Sequence, residues 1–128
     1  MREVIKTTQA PAAVGPYSQG IRIPGGSLLF TAGQVALDAA TGQMIEGDIR
    51  VQTRRTLENV KAILTAAGSS LANVVKATVF MTDLGEFAAM NETYREFFPQ
   101  NPPARTTVEV RALPRGAKIE IETIAMVG

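Results

Sequence analysis

The fold is decided by residues 48–82, which read DIRVQTRRTLENVKAILTAAGSSLANVVKATVFMT. The first part predicts an amphipathic helix over about 48–67, because its apolar side chains recur at helical spacing. These side chains are Leu57, Val60, Ile63, Leu64 and Ala67. Asp48 is suited to cap the amino end of this helix, and Gly68 to follow its carboxyl end. The β-branched run at 73–82 then predicts a largely buried strand.

The alternation of helix and strand continues toward the carboxyl end. A second helix is predicted to begin at Asp83, with Glu86 completing a capping-box analogue, and to end before Pro99. Its apolar stripe consists of Leu84, Phe87, Met90, Tyr94 and Phe97. Two strands, 105–112 and 118–127, are predicted to complete the chain.

The amino-terminal third predicts short strands. One candidate covers residues 4–7, and two more cover 19–23 and 28–32. The last two flank the segment 24–27, whose Pro-Gly-Gly-Ser sequence is typical of a turn. We therefore expect these two strands to form a β-hairpin.

The length of 128 residues predicts one compact domain over residues 1–128. The two helical crossovers indicate parallel pairing within a mixed sheet. Two helices can cover only one face of such a sheet, so the other face must meet solvent or another subunit.

The last two predicted strands alternate between charged and apolar positions. One face carries Arg105, Thr107, Glu109 and Arg111 in the first strand and Lys118, Glu120 and Glu122 in the second. The opposite face carries Thr106, Val108, Val110 and Ala112, followed by Ile119, Ile121, Ala125 and Val127. We expect the apolar face to meet the helices and the charged face to remain uncovered, because unpaired charge is costly to bury.

The composition excludes most familiar catalytic devices. The 128 residues include no His and no Cys, which excludes a Ser-His-Asp triad, a thiolate nucleophile and cysteine-based or ordinary zinc sites. The carboxylates Glu109, Glu120 and Glu122 match no known metal-binding loop, so neither a metal nor a cofactor is predicted. The chain shows no secretory signal and no run long enough to span a membrane. We therefore expect a soluble, cytoplasmic protein.

The charge pattern gives no sign of a nucleic-acid partner. There are 13 Lys and Arg against 12 Asp and Glu, for a formal net charge of +1. The first helix carries a basic run of Arg50, Arg54, Arg55 and Lys61, which is more typical of a solvated face than of a nucleic-acid stripe. Within that helix, Arg54 and Glu58 are spaced to form an i,i+4 pair.

Two charged residues on the last strands are candidates for chemistry. Arg105 presents a planar fork that matches a carboxylate, although it could instead be a cross-strand partner of Glu120 or Glu122. Glu120 could hold or activate a water molecule if its surroundings raised its pKa, although a strand-face carboxylate that balances Arg or Lys is the more common use of such a residue.

Three further positions are candidates for a binding site. Tyr17 follows Gly-Pro and could stack on a small ligand or simply pack in its loop. Gly33 ends a strand, where it allows a close backbone approach or merely a turn. Asn91 lies one position off the apolar stripe of the second helix, where it could donate to a ligand or remain an exposed amide.

Six short segments are informative when they are read in order: 10–12 (APA), 15–19 (GPYSQ), 31–34 (TAGQ), 56–60 (TLENV), 103–105 (PAR) and 119–122 (IEIE). Taken together, these segments resemble the RidA (YjgF-like) family of reactive-intermediate deaminases along essentially the whole chain. Each segment is weak alone, but their common order makes chance agreement implausible.

The resemblance implies a chorismate-mutase-like α+β fold and a homotrimer with a central barrel. The helices would lie outside that barrel, with three ligand clefts between subunits. It also implies a 2-iminobutanoate/2-iminopropanoate deaminase that needs no cofactor. Such an enzyme hydrolyses reactive enamine and imine intermediates, such as 2-aminoacrylate and 2-aminocrotonate, to 2-keto acids and ammonia. Pyridoxal-phosphate-dependent dehydratases acting on serine and threonine release these intermediates.

The resemblance also assigns roles to individual residues. Arg105 matches the arginine that clamps the substrate carboxylate, and Glu120 matches the glutamate that positions or activates water. Tyr17 and Asn91 match residues of the cleft. Gly33 lies in the matching strand-end motif.

Two positions depart from the family pattern. Ala32 stands where the family archetype has serine, so one hydroxyl is missing and the substrate range or rate is open to change. Thr107 stands where the archetype has cysteine. That position contributes its backbone to substrate binding, so threonine should serve.

Three other functions compete with the deaminase. The first is a non-catalytic, regulatory trimer that binds small acids through Arg105; the presence of Glu120 favours the enzyme. The second is the endoribonuclease or translation-inhibitor activity of relatives, against which the absence of His and the weak charge bias argue. The third is a chaperone-like role, which would need an exposed apolar patch.

Overall fold

A computed structural model describes residues 2–9, 12–13 and 15–127 of the chain. The strands are β1 (Glu3–Ile5), β2 (Gly20–Arg22), β3 (Ser27–Phe30), β4 (Val74–Met81), β5 (Ala104–Glu109) and β6 (Ile119–Val127). The helices are α1 (Ile49–Ala66) and α2 (Phe87–Phe97), with short 3₁₀ turns at Leu71–Asn73, Leu84–Glu86 and Pro114–Gly116. The segment 10–12, which carried part of the family resemblance, lies mostly outside the described residues.

The main sheet has four strands in the order β3-β6-β4-β5. Strands β4 and β5 are parallel, while β6 runs antiparallel to both β3 and β4. This confirms the predicted mixed sheet. Because α2 connects the parallel neighbours β4 and β5, it packs back onto the sheet beside α1.

The hairpin predicted between 19–23 and 28–32 is wrong. Strand β2 pairs with β1 in a separate two-stranded sheet, and β3 pairs with β6. Gly26 does turn the chain, with a φ of 98°. The strand that leaves this turn nevertheless takes a distant partner, because pairing with β6 places Leu29 against the core.

Helix α1 confirms its sequence signals. The Asp48 carboxylate accepts a hydrogen bond from the Val51 amide at 3.0 Å, and Gly68 adopts a φ of 78° just past the carboxyl end. Of the predicted apolar stripe, Leu57, Val60 and Leu64 are fully buried, whereas Ala67 is exposed.

Helix α2 begins later than predicted. Asp83 caps a 3₁₀ turn by accepting a hydrogen bond from the Gly85 amide at 2.8 Å, and the α-helix starts only at Phe87. Glu86 supplies no side-chain cap to the helix, so the capping-box analogue does not form. The start of the predicted stripe is consequently exposed at Leu84 and Phe87, while Met90 and Tyr94 are fully buried.

The two helices are joined by surface ion pairs between them. Arg50 Nη1 lies 2.7 Å from Glu92 Oε1, and Arg54 Nη1 lies 2.9 Å from Glu96 Oε1. The predicted pairing of Arg54 with Glu58 is therefore wrong, because the neighbouring helix offers a better-placed carboxylate. The second pair lies four residues further along both helices than the first, so α1 and α2 run parallel.

The core lies between these helices and one face of the sheet. It is formed by Ile49, Leu57, Val60, Leu64, Val74, Ala77, Val79, Met81, Met90, Tyr94, Phe98, Ile119, Ile121 and Ala125. None of the described helices is long and apolar enough to cross a membrane.

The predicted division into charged and apolar faces holds for β6 but is wrong for β5. In β6, Ile119 and Ile121 are buried under the helices, and Glu120 lies on the opposite face. In β5, Arg105 stands level with the buried Ala77 on the helix side, whereas Val108 is 38% exposed on the other side. The alternation was correct, but the face that meets α2 is the one that carries the arginine.

Candidate functional site

The predicted site residues fall into two groups on opposite faces of the main sheet. The first group, here the arginine half-site, contains Tyr17, Asn91, Arg105 and Thr107. The second, here the glutamate half-site, contains Gly33 and Glu120. The register sets this division: Arg105 is level with Ala77 on the helix side, and Glu120 is level with Phe80 on the uncovered side.

The arginine half-site is held in place where the chain enters β5. Ser18 donates its amide to the Pro103 carbonyl at 2.9 Å, and its hydroxyl donates to the Pro102 carbonyl. This bridge fixes Tyr17 beside the start of β5, next to Arg105. The stiff Pro-Pro approach to the strand therefore positions an aromatic ring as well as the arginine.

The guanidinium of Arg105 is surrounded by three aromatic rings. Its Cζ atom lies 4.8 Å from the ring centre of Tyr94, 5.5 Å from that of Phe87 and 5.7 Å from that of Tyr17. Its Nη1 donates a hydrogen bond to Asn91 Oδ1 at 2.8 Å. These contacts make a cation–π cage with one polar support.

Three of the four cage residues belong to one face of α2. Phe87, Asn91 and Tyr94 are spaced i, i+4 and i+7, so they line up along the helix. By sequence, Phe87 and Tyr94 belong only to the apolar stripe of α2, and Asn91 lies off that stripe. The i, i+4, i+7 spacing of two aromatics and an amide is the signal that could have revealed the cage.

Arg105 has no acidic partner among the residues that the structure describes. Desolvation by its surroundings is the largest effect on its pKa and lowers it below the ordinary arginine value, while Tyr94 and Tyr17 act in the opposite direction. Pairing with Glu120 or Glu122 within one chain does not occur, because both lie across the sheet. A half-buried guanidinium that lacks a carboxylate partner is suited to bind an anion from outside.

Thr107 lies two residues beyond Arg105 on the same face of β5. Its Oγ1 is buried, and no hydrogen-bond partner for it occurs in the described part of the chain. Strand β5 is an edge strand, and among the described residues only the bridge between Ser18 and Ala104 covers its free edge. Backbone groups beyond Ala104 are therefore available to a ligand.

The glutamate half-site is built around a β-bulge. Thr31 opposes Thr123, but Gln34 rather than Gly33 opposes Ile121, so one extra residue is accommodated between them. The bulge brings Gly33 against the Glu120 side chain. A Cβ atom at Gly33 would lie 2.3 Å from Oε2 and 2.8 Å from Cδ of Glu120, so only glycine allows this approach.

A groove of about 910 Å³ lies between the amino-terminal segment and Pro102, and Tyr17 contributes to its lining. Neither Arg105 nor Glu120 lines this groove. No group of three or more acidic side chains that could hold a metal ion occurs among the described residues. Within one chain, the candidate chemistry is therefore carried by the two half-sites rather than by an enclosed pocket.

This architecture defines a class of α+β proteins in which two parallel helices cover one face of a mixed four-stranded sheet. The family model named Endoribonuclease L-PSP matches residues 7–127. The chain belongs to this family, which is also known as the YjgF/RidA family. The predicted resemblance is thereby confirmed.

Relatives of known name cover nearly the full chain. Protein DfrA of Myxococcus xanthus is 50% identical over 125 residues, which are 98% of this chain and 95% of the relative. A 2-iminobutanoate/2-iminopropanoate deaminase of Mus musculus is 44% identical over 128 residues, covering 100% of this chain and 93% of the relative.

A solved structure of E. coli TdcF with bound serine superposes with a TM-score of 0.76. It is 45% identical and covers 98% of this chain and 99% of that one. The α+β fold of this chain thus matches structures of the family.

Proposed function

We propose that this protein is a 2-iminobutanoate/2-iminopropanoate deaminase, which hydrolyses 2-imino acids and their enamine tautomers to 2-keto acids and ammonia. The observation that carries the proposal is the caged Arg105, which has no acidic partner in the described part of the chain. The name of the mouse relative supports the reaction, and the serine named with TdcF supports a small amino-acid-like ligand.

Arg105 would hold the substrate by its carboxylate. A guanidinium has five N–H donors, and Asn91 takes one of them, so a free edge remains for a bidentate contact. The three surrounding rings restrict the plane of the fork, which fixes the orientation of the bound acid. The carboxylate does not itself react, so this contact would hold the substrate and the transition state alike.

Glu120 would act first as the general base and then as the general acid of the reaction. A protonated imine is already electrophilic, so water adds to its carbon without a covalent nucleophile. Glu120 would accept a proton from that water as the C–O bond forms, giving a carbinolamine. The same carboxyl would then return that proton to nitrogen and accept the hydroxyl proton as the C–N bond breaks and the C=O bond forms. One water is consumed, and the 2-keto acid leaves with ammonia, which takes the remaining proton as ammonium and regenerates the carboxylate.

The division into two half-sites supports an active site that is built by two subunits. Within one chain the sheet separates Arg105 from Glu120, and one small substrate cannot contact both. The uncovered face also exposes Phe30 at 66% and Val108 at 38%, which is apolar surface that another copy would cover. We therefore include in the proposal a homotrimer with a central barrel, in which single RidA-like domains share clefts between subunits.

The carboxylate clamp is tested by Arg105→Ala in a dehydratase-coupled assay, with semicarbazide as the competing trap for the imine. We expect hydrolysis to be abolished while the trimer persists in light scattering. Arg50→Ala is the matched control, because it removes an arginine from the exposed face of α1. Retained activity in Arg105→Ala would overturn the site assignment.

The shared cleft is tested by mixing two inactive variants. Arg105→Ala and Glu120→Ala subunits are unfolded together in equal amounts and refolded. If each site takes Arg105 from one subunit and Glu120 from the next, about a quarter of the sites regain both residues. Recovery of that order supports the shared cleft. Mixed trimers without recovered activity would refute the shared cleft.

The name of the family model also raises a ribonuclease function. The chain contains no His, so the usual imidazole acid–base pair is absent. Salt-dependent binding and cleavage of RNA by the purified protein would support this alternative. A binder of small acids that lacks catalysis would instead keep its affinity for 2-keto acids without turning over any imine.

A further inference from the structure

The Arg105 cage contains one ring that differs from the other two. Tyr94 is fully buried, whereas Phe87 is 38% exposed. The ring centre of Tyr94 is also the nearest to Arg105 Cζ, at 4.8 Å, compared with 5.5 Å for Phe87 and 5.7 Å for Tyr17. Cation–π attraction is strongest where water is excluded and the separation is short. Tyr94 therefore provides the strongest aromatic support of the guanidinium.

The ring of Tyr94 is itself held rigidly. Its centre lies 4.7 Å from that of Phe98, and both rings belong to the core between the helices and the sheet. Asn91, which bonds the same guanidinium, precedes Tyr94 by one turn of α2. One helix thus supplies both the polar and the aromatic support of Arg105.

We propose that Tyr94 is a positioning residue for carboxylate binding: its buried ring is the platform that fixes the guanidinium plane of Arg105. A long arginine side chain loses considerable freedom when it forms a two-point contact, and a preformed platform reduces that loss. The relevant property is the aromatic face. The Tyr94 hydroxyl is buried and has no hydrogen-bond partner among the described residues. The inference rests on the carboxylate clamp of the proposed function and names the residue through which the clamp works.

Two substitutions separate the ring from the hydroxyl. Tyr94→Phe keeps the aromatic face, and Tyr94→Leu removes it while keeping an apolar side chain. The probe is 2-oxobutanoate, titrated calorimetrically into the purified protein. We expect the Kd of Tyr94→Phe to remain within about twofold of the original, and that of Tyr94→Leu to rise about tenfold.

The kinetics of Tyr94→Leu should differ from those of a variant that only destabilises the fold. Loss of the platform weakens the hold on substrate and transition state alike, so KM should rise while kcat at saturation changes little. Val60→Ala is the control, because it truncates a fully buried core residue of α1. This control should lower the melting temperature without changing the Kd for 2-oxobutanoate.

Several results would overturn the inference. One is a folded Tyr94→Leu protein that binds 2-oxobutanoate as tightly as the original. Equal losses in Tyr94→Phe and Tyr94→Leu would assign the effect to the hydroxyl instead. If Tyr94→Leu does not fold, Tyr94→Met provides a second variant without a ring. If that also fails, NMR of the unaltered protein must show slowed rotation and ring-current shifts for the Arg105 guanidinium, and a freely rotating group would exclude a platform.

The outcome remains separable from that of the deaminase proposal. Suppose that neither the unaltered protein nor any variant hydrolyses an imine, but 2-oxobutanoate binding falls in Tyr94→Leu and not in Tyr94→Phe. The positioning role of Tyr94 is then supported, and the deaminase proposal is refuted. If the unaltered protein binds no carboxylate at all, the clamp fails and the inference fails with it.

Discussion

Replacing Gly33 by alanine should displace the Glu120 carboxylate. The added Cβ would lie 2.3 Å from Oε2, 2.8 Å from Cδ and 3.0 Å from Cγ of Glu120. Because ordinary contacts begin near 3.4 Å, Oε2 must retreat by about 1 Å. The close approach extends to Cγ, so rotation of the carboxyl group alone does not relieve it. The whole side chain has to move.

A displacement of that size has a large expected effect on catalysis. Misplacing a reacting group by 1 Å can lower a rate about 100-fold, so we expect Gly33→Ala to lose about two orders of magnitude in kcat/KM for imine hydrolysis. The overpacking should also destabilise the fold by about 1 kcal/mol. The measurements are the semicarbazide-competition assay and urea denaturation. Gly25→Ala is the matched control, since nothing lies within 4 Å of its added Cβ.

A double-mutant cycle identifies the cause. Glu120→Ala removes the atoms with which the new methyl group collides, so Gly33→Ala should cost almost no stability in that background. An equal loss of stability with and without the Glu120 side chain would refute the contact argument. Full activity in Gly33→Ala would refute the assigned role of Glu120, because the carboxylate cannot stay where it is.

Three further predictions concern the scaffold. Asp48→Ala should lower the free energy of unfolding by about 1 kcal/mol in urea denaturation, because it removes the cap on the Val51 amide. Leu57→Ala should cost about 2–5 kcal/mol in the same measurement, because Leu57 is fully buried in the core. Burial is the largest cause that raises the pKa of Tyr94 above its ordinary value of 10, with Arg105 opposing it. Stability linked to this phenol is therefore complete below pH 10 and is lost as the pH rises further, a loss that alkaline denaturation should show to be smaller in Tyr94→Phe.

Local sequence signals predicted those elements that are determined by residues close together in the chain. The extent of α1 followed from its apolar spacing, and its amino end from the Asp48 cap. Long-range pairing was predicted less well. The turn at 24–27 correctly ended one strand and started another, but no local signal indicates that β3 prefers β6 to β2. The side-chain pattern of a short strand is compatible with either partner.

The separation of Arg105 from Glu120 could not be obtained from the sequence. Alternation fixes which residues of one strand share a face, but not which face of that strand meets the helices. A charged position was assigned to the uncovered side because burying a lone charge is unfavourable. That rule fails at Arg105 because α2 supplies Tyr94, Phe87 and Asn91 to surround the guanidinium.

This failure is itself informative about function. The described part of the chain buries much of an arginine without a carboxylate to neutralise it, and the lowered pKa of Arg105 reflects that unfavourable environment. An arginine whose role is only structural could form its ion pair at the surface. It would then not lose the solvation of its guanidinium. A ligand carboxylate would supply the missing charge. The position where the sequence rule is broken is thus the position where a binding site is expected.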